Sequence, residues 1–497
     1  MERIMDFRKL IGAPILLLFL AACAPQTQTA PASRPTVTAT AAAPTVTATF
    51  AAPTENIPAP TVTQTPAPYA GGGWILVHTD QGLWMARPDG TDGALRITGP
   101  LIIPGPLAGA ISSVEGNFAY LTTSNFTRAN GNYPNLTLNV MSLFGRGPFV
   151  SLPLTSPQTE PGGEYPSDII RAMVEHKSFA WSPEGTRLAY IGAASGPSAD
   201  LYEYLRESNT FLHLTDGPDQ AYDPVWSPDG KWIVHAAAAG FGTGAGISVT
   251  GMYAARLDGS GVISLYDIPS YSGGEYVLGW LNAHTLVTSS WFITCGPSDI
   301  RWTDLDLPKT NPQFKGCLSA AAVGAGSILF AQSPDTARFD ENPQPGLWLF
   351  LSSGNGGTQS KVGDADIREI AWAEGSTTFL ALASDNTLYE VLPTGQIRVL
   401  AENQRQIPMV SPTGLFWAMA DSEGVWAGRY GQPMNRIFTG QISPNQILFV
   451  PPDDTLYFLD AAGSLYSARE SDWAPVQLAA NLRPAGPELA IGYVLDY

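Results

Sequence analysis

The sequence predicts an all-β fold, a single propeller of seven to nine four-stranded blades with eight preferred. Three observations predict it. A twelve-residue phrase occurs twice, its tryptophans 45 residues apart. Short apolar strands, separated by Gly- and Pro-rich turns, recur evenly from about residue 70 onward. No amphipathic helical stretch of any length interrupts them. A repeat of that period marks a propeller or a related array, and short, evenly spaced strands argue an all-β one.

The first copy of the phrase is Ala180-Trp181-Ser182-Pro183-Glu184-Gly185-Thr186-Arg187-Leu188-Ala189-Tyr190-Ile191, and the second runs from Val225 through Trp226, Ser227, Pro228, Asp229 and Gly230 to Ala236. Each reads as strand, tight turn, strand. Pro suits the second position of a turn, and Gly supplies the positive φ of the return. The flanking β-branched and aromatic residues suit strands. Trp181, Ser182, Pro183, Gly185, Trp226, Ser227, Pro228, Asp229 and Gly230 are therefore read as structural. Trp280 and Trp372 fall at the same place in their units as Trp181 and Trp226, which points to packing between blades.

W-S-P-[DE]-G followed by an apolar strand resembles the TolB-type, WD40-like β-propeller repeat. Degenerate copies stand at Ile370-Ala371-Trp372-Ala373-Glu374-Gly375, Val410-Ser411-Pro412-Thr413-Gly414 and Ile442-Ser443-Pro444-Asn445. The resemblance covers most of residues 70–497 and implies a propeller there. TolB binds protein partners at the envelope through its propeller, so the resemblance also implies a binding role. The chain shows no sign of TolB's N-terminal α/β domain.

At the N-terminus, Arg3, Arg8 and Lys9 precede an uncharged run over 10–22. That run is too short to span a bilayer but fits the apolar region of a signal peptide. It ends Leu20-Ala21-Ala22-Cys23, which resembles a bacterial lipobox. The resemblance implies a signal peptide over 1–22, cleavage before Cys23, lipidation of Cys23, and a membrane held through that lipid. Several acyl chains on one residue anchor stably where a single chain does not. Residues 24–69 are mostly Ala, Pro, Thr and Val, with Arg34 and Glu55 the only charges. Such a segment favours extended polyproline II and cannot bury a core. The expected organisation is a leader over 1–22, a disordered stalk over 23–69 and a propeller domain over 70–497.

Within the body, one rhythm repeats: an apolar strand, a polar or Gly turn, a Leu-aromatic strand, a Gly turn and a further strand. Ile75-Leu76-Val77 leads to Gly82-Leu83-Trp84 and Leu95-Arg96-Ile97, and Leu456-Tyr457-Phe458-Leu459 leads to Ser464-Leu465-Tyr466 and Val476-Gln477-Leu478. Nine candidate units can be marked, the weak one at 101–156 reading as an insertion or an incomplete blade. Residues 233–255 carry no formal charge, but their glycines and His235 favour strands and a loop over a membrane span. An apolar run at 489–497 lies beyond the last unit. It is expected to complete the sheet of Ile75-Leu76-Val77, because an open ring would leave two unpaired sheet edges.

The chain carries 26 Lys and Arg against 44 Asp and Glu, a net charge of −18. That disfavours nucleic acid and anionic lipid surfaces as partners. With Cys23 lipidated, Cys295 and Cys317 remain, an even pair in an oxidising compartment and within one unit; a disulfide between them is expected. Their spacing does not suit zinc.

The five histidines, His78, His176, His213, His235 and His284, are scattered, one per unit at most. No H-E-x-x-H, P-loop or calcium loop occurs, so neither a metal nor a cofactor is expected. A G-x-S-x-G nucleophile elbow is absent, and no chain is left after the last unit for a hydrolase domain. Asp304, Asp306, Asp364 and Asp366 could pair for glycoside chemistry, and Tyr271 and Trp291 could anchor a ligand. The function these features favour is a lipid-anchored, non-catalytic scaffold in the bacterial envelope, binding a protein or an envelope polymer. The alternative is an envelope hydrolase, acting on glycan or peptide, with its site at the propeller channel.

Overall fold

The computed structural model describes residues 73–495 apart from 92, 113, 115, 125–132, 146–148, 157–158, 160–172, 195–197, 243–245, 258–260, 268–271, 293–294, 308, 341–342, 354–355, 443–445 and 487. The expected leader, Cys23 and the stalk lie outside these residues, as do Tyr271 and the Ser443-Pro444-Asn445 part of the last degenerate repeat. Among the described residues no helix is long and apolar enough to cross a membrane.

The fold is an all-β propeller of nine blades, built from eight four-stranded sheets and one three-stranded sheet. Blade 1 takes Gly73–Thr79, Gly82–Ala86 and Ala94–Arg96, and blade 2 takes Asn117–Thr122, Thr137–Ser142 and Val150–Pro153. Blades 3 to 9 then follow as meanders over 179–213, 220–267, 272–317, 320–363, 367–401, 409–439 and 447–479. All pairings within the blades are antiparallel, as hairpin connections require.

The preferred count of eight is corrected to nine. The region 101–156 is a blade of its own, not an insertion. Its inner edge is reduced to two bridges, Ile102 with Leu121 and Ile111 with Phe118, so no continuous strand marks it in the sequence. The uncharged stretch 233–255 forms two paired strands, Trp232–Gly242 and Gly246–Arg256.

The ring closes through the C-terminal run. Ile491–Leu495 pairs antiparallel with the first strand, matching Gly73 to Leu495, Ile75 to Tyr493 and Val77 to Ile491. It is the inner strand of blade 1, and blade 1 is thereby assembled from both ends of the described chain.

The core is a set of clusters between neighbouring sheets. Ile75 and Val77 pack with Val450, Tyr457 and Leu459 of blade 9. Leu281, Val287 and Ile300 of blade 5 meet Ile328 and Phe330 of blade 6. The second strand of a blade is buried on both faces and reads as a near-continuous apolar run; Ser327–Gln332 and Thr378–Ala383 are buried at every position.

The repeated phrase forms the turn between the first and second strands of a blade. Ser227 Oγ donates to Asp229 Oδ1 (2.7 Å) and accepts the Lys231 and Trp232 N–H groups. The Gly230 N–H donates to the Ser227 carbonyl. Gly230 sits at φ 67°, where a side chain is strained. Ser411 repeats the arrangement with the Phe416 N–H, and Gly414 with the Ser411 carbonyl.

These turns also join blades. The Trp226 indole donates to the Ala180 carbonyl of blade 3 (2.8 Å), and the Trp181 indole to the Ala110 carbonyl of blade 2 (3.0 Å). Arg187 lies 4.7 Å from the Trp226 ring and donates to the Gly230 carbonyl (2.7 Å). Trp372 lies against the bare Cα of Gly324, where a Cβ would meet its ring at 2.0 Å. The recurring tryptophans are wedges between inner strands.

Candidate active site

The rim opposite these turns is where the inner strands begin, and there the polar groups differ from blade to blade. The best-defined cluster joins blades 3 and 4. The inner strand of blade 4, Gln220–Trp226, contains Pro224, which has no N–H for the ladder. The pairing slips between Tyr222 and Val225, and Asp223 is turned to φ 51°. Bulges of this kind re-aim a side chain and concentrate at functional sites.

Asp223 is thereby carried to the lead-in of blade 3. Its Oδ1 accepts the Lys177 N–H (2.9 Å), and its own N–H donates to the Lys177 carbonyl (3.1 Å). Its Oδ2 lies 3.4 Å from His176 Nδ1. The His176 ring stands edge-on to Tyr222, centroids 5.3 Å apart. The hydrogen bond to Asp223 raises the His176 pKa, partly offset by burial. His176 Nε2 has no partner among the described residues.

Two further groups on inner strands or their lead-ins are shifted by their surroundings. Lys177 keeps solvent access but is flanked by protein, and that desolvation lowers its ammonium pKa despite Asp223. Glu369, on the inner strand of blade 7, is raised by desolvation, with Arg368 acting against it.

The other polar clusters are closed. Glu275 of blade 5 is buried, with both carboxylate oxygens taken by Arg301 Nη1 (2.9 Å each) and one by Ser290 Oγ (2.7 Å). Cys295 and Cys317 are disulfide-bonded with Cα atoms 5.9 Å apart, and the Cys317 N–H donates to Asp340 of blade 6. Trp291 is exposed beside Gly296 near that bond.

His213 lies 3.7 Å from Asp200 and stacks on Tyr202. His235 is buried in blade 4, and that burial lowers its pKa to about 4. His284, Asp304 and Asp306 are the one group among the described residues whose ligand atoms come within 4.8 Å of one another. Asp304 Oδ1 already accepts the Asp306 and Leu307 N–H groups of its own turn, besides facing His284 Nδ1 at 3.0 Å. Asp364 pairs with Lys361, so the four aspartates singled out in the sequence do not converge.

No family model matches the chain. A 62-residue segment is 40% identical to an uncharacterized peptidase, YuxL, of Bacillus subtilis; it spans 12% of this chain and 9% of that relative. Among solved structures, the dipeptidyl peptidase 4 of Porphyromonas gingivalis is 10% identical with a TM-score of 0.44, over 74% of this chain and 60% of that one. An oligogalacturonate lyase in complex with manganese is 13% identical at 0.34, over 61% and 88%. A protein described as TolB from Agrobacterium tumefaciens is 18% identical at 0.27, over 50% and 80%. At these identities the solved structures speak to the fold alone.

The expectation of a non-catalytic module does not stand, because the relative matched in sequence is named a peptidase.

Proposed function

We propose that the chain is a hydrolase acting on a peptide or a glycan, with its reaction centre on the channel wall, anchored at the extracytoplasmic face of a bacterial membrane. The observation that carries the proposal is His176 held by Asp223. The carboxylate fixes the imidazole through Nδ1 and leaves Nε2 to exchange a proton with water or a leaving group. Its raised pKa keeps the acid form available toward neutral pH. Glu369, with its raised pKa, is a second proton donor on the wall, and Lys177 a cation for developing negative charge. The net charge of −18 favours a neutral or basic substrate over a polyanion. The name of the matched relative adds weight to peptide as the bond cleaved.

The test is turnover by the full chain of a panel of peptides and neutral glycans. His176→Gln should lower kcat/KM by about a hundredfold or more, with melting unchanged. Turnover that survives His176→Gln, or no turnover of any member of the panel, defeats the proposal. The anchor has its own test: Cys23→Ala should leave the protein unprocessed or free it from membranes, and an acylated, membrane-held variant would refute the lipobox.

A further inference from the structure

Blades 7 and 8 pack together through Leu400, Ala401, Tyr430 and Met434, and a cleft opens beside that contact. A cleft of about 510 Å³ separates the end of the outer strand of blade 7 from the second and third strands of blade 8. That volume lies in the range of small-molecule sites. Met419, Met434 and Trp426 give it an apolar side, and Glu402, Gln404 and Glu423 stand along its polar side.

Two of these groups are buried without a hydrogen-bond partner among the described residues: the indole N–H of Trp426 and the side-chain carbonyl of Gln404. One is a donor and the other an acceptor. Leaving either unmade is costly, and a bound molecule bearing hydroxyls can satisfy both kinds. Among the described residues the carboxylate of Glu402 has no partner, and that of Glu423 has only a long contact with Arg436, 3.8 Å.

The charge at the cleft selects against anions. Glu402, Asp421 and Glu423 line it against Arg405 alone, with Arg436 3.8 Å from Glu423, so an anion finds no complement. Acceptors outnumber donors along the polar side, which asks the ligand to donate. A sugar ring has hydroxyls for carboxylates and amides on its edge and C–H groups for methionine and indole on its face.

We propose that the cleft between blades 7 and 8 binds a short neutral saccharide through Trp426, Gln404, Glu402 and Glu423. The site lies on the outer side of the blades, whereas the His176–Asp223 pair belongs to inner strands, so the proposal stands apart from the catalytic reading. A saccharide held there would tether a glycan polymer to the propeller, whatever bond is cleaved elsewhere.

The test is calorimetric titration of the full chain with cellotriose, maltotriose and N,N′,N″-triacetylchitotriose at up to millimolar concentration, with trialanine and trigalacturonate beside them. At least one neutral trisaccharide should bind saturably. Trp426→Phe, which keeps the ring and removes the N–H, should weaken it about tenfold, the loss expected for one hydrogen bond. Glu402→Gln combined with Glu423→Gln should weaken it at least as much. If Trp426→Phe fails to fold, the paired Gln variant, which changes only exposed side chains, decides alone. Absence of saturable binding by all three trisaccharides, binding unaltered in the variants, or equal binding of trialanine or trigalacturonate would overturn the site.

Discussion

The two rims of this propeller solve different problems with the same strands. On the rim of the W-S-P turns, neighbouring blades use one another. Trp226 bonds to Ala180, Arg187 covers Trp226 and bonds to Gly230, and Ser411 donates to Asp454 of the next blade (2.9 Å). On the opposite rim, blades 3 and 4 are joined by Asp223, blade 5 by an inward-facing Glu275–Arg301 pair, and blades 5 and 6 by Asp340 beneath a disulfide. Repetition on one rim holds the ring, and that leaves the other rim free to vary. Variation is where chemistry can be placed, because a strained residue such as Asp223 survives only when its surroundings are already determined.

If the turn rim and the closure carry stability, disturbing them should cost more than any change at His176. The largest effect is expected from deleting 487–497. Blade 1 then loses its inner strand and presents Gly73–Thr79 as an open edge. Loss of the cooperative thermal transition and aggregation should follow. A truncated protein that melted like the full chain and stayed monomeric would mean that the ring is closed by something other than this strand.

Next comes Trp226→Ala. The side chain is buried, bonded to blade 3 and covered by Arg187. Loss of about 3–5 kcal/mol is expected for a buried aromatic of this size, read by chemical denaturation. A loss below about 1 kcal/mol, the scale of an ordinary surface substitution, would show the wedge to be dispensable.

The smallest effect on stability, and the sharpest on chemistry, is expected from Asp223→Asn. Asn keeps an acceptor for the Lys177 N–H but removes the charge beside His176. The His176 pKa should fall from its raised value toward the ordinary 6.5, because burial is then opposed only by Glu175. The sign follows from linkage. In the native protein the pair's contribution to stability is complete below the unfolded value of 6.5 and is lost as pH rises through the raised folded value. The variant should lack that loss. An NMR titration of the His176 ring checks both, and an unchanged midpoint would separate His176 from Asp223.

The turn rim could be read in the sequence because its chemistry is local: Ser227, Asp229 and Gly230 bond within their own few residues. The closing strand was legible as apolar residues left over after the last unit. Blade 2 escaped the count because bridges at Ile102 and Ile111 replace a strand. The pairing of His176 with Asp223 was illegible for another reason. It depends on a bulge at Asp223-Pro224, which in sequence is only an interrupted strand, and on two blades lying side by side. The fold was written in periodicity, and the candidate site in a place where a strand breaks it.

The pairing of Gly73 with Leu495 has a consequence for how the molecule comes to exist. A chain leaves the ribosome from its N-terminus, so the first blade is made long before the strand that finishes it. Until then every nascent length carries one unsatisfied edge, and blades 2 to 9 assemble on a ring that cannot shut. Contacts so distant in sequence form slowly, since the closure entropy comes before the reward. Closure is therefore reached late, with the final strand acting as a latch: chains stopped short of it, by a premature stop or a nick, should be degraded rather than accumulate as partial rings.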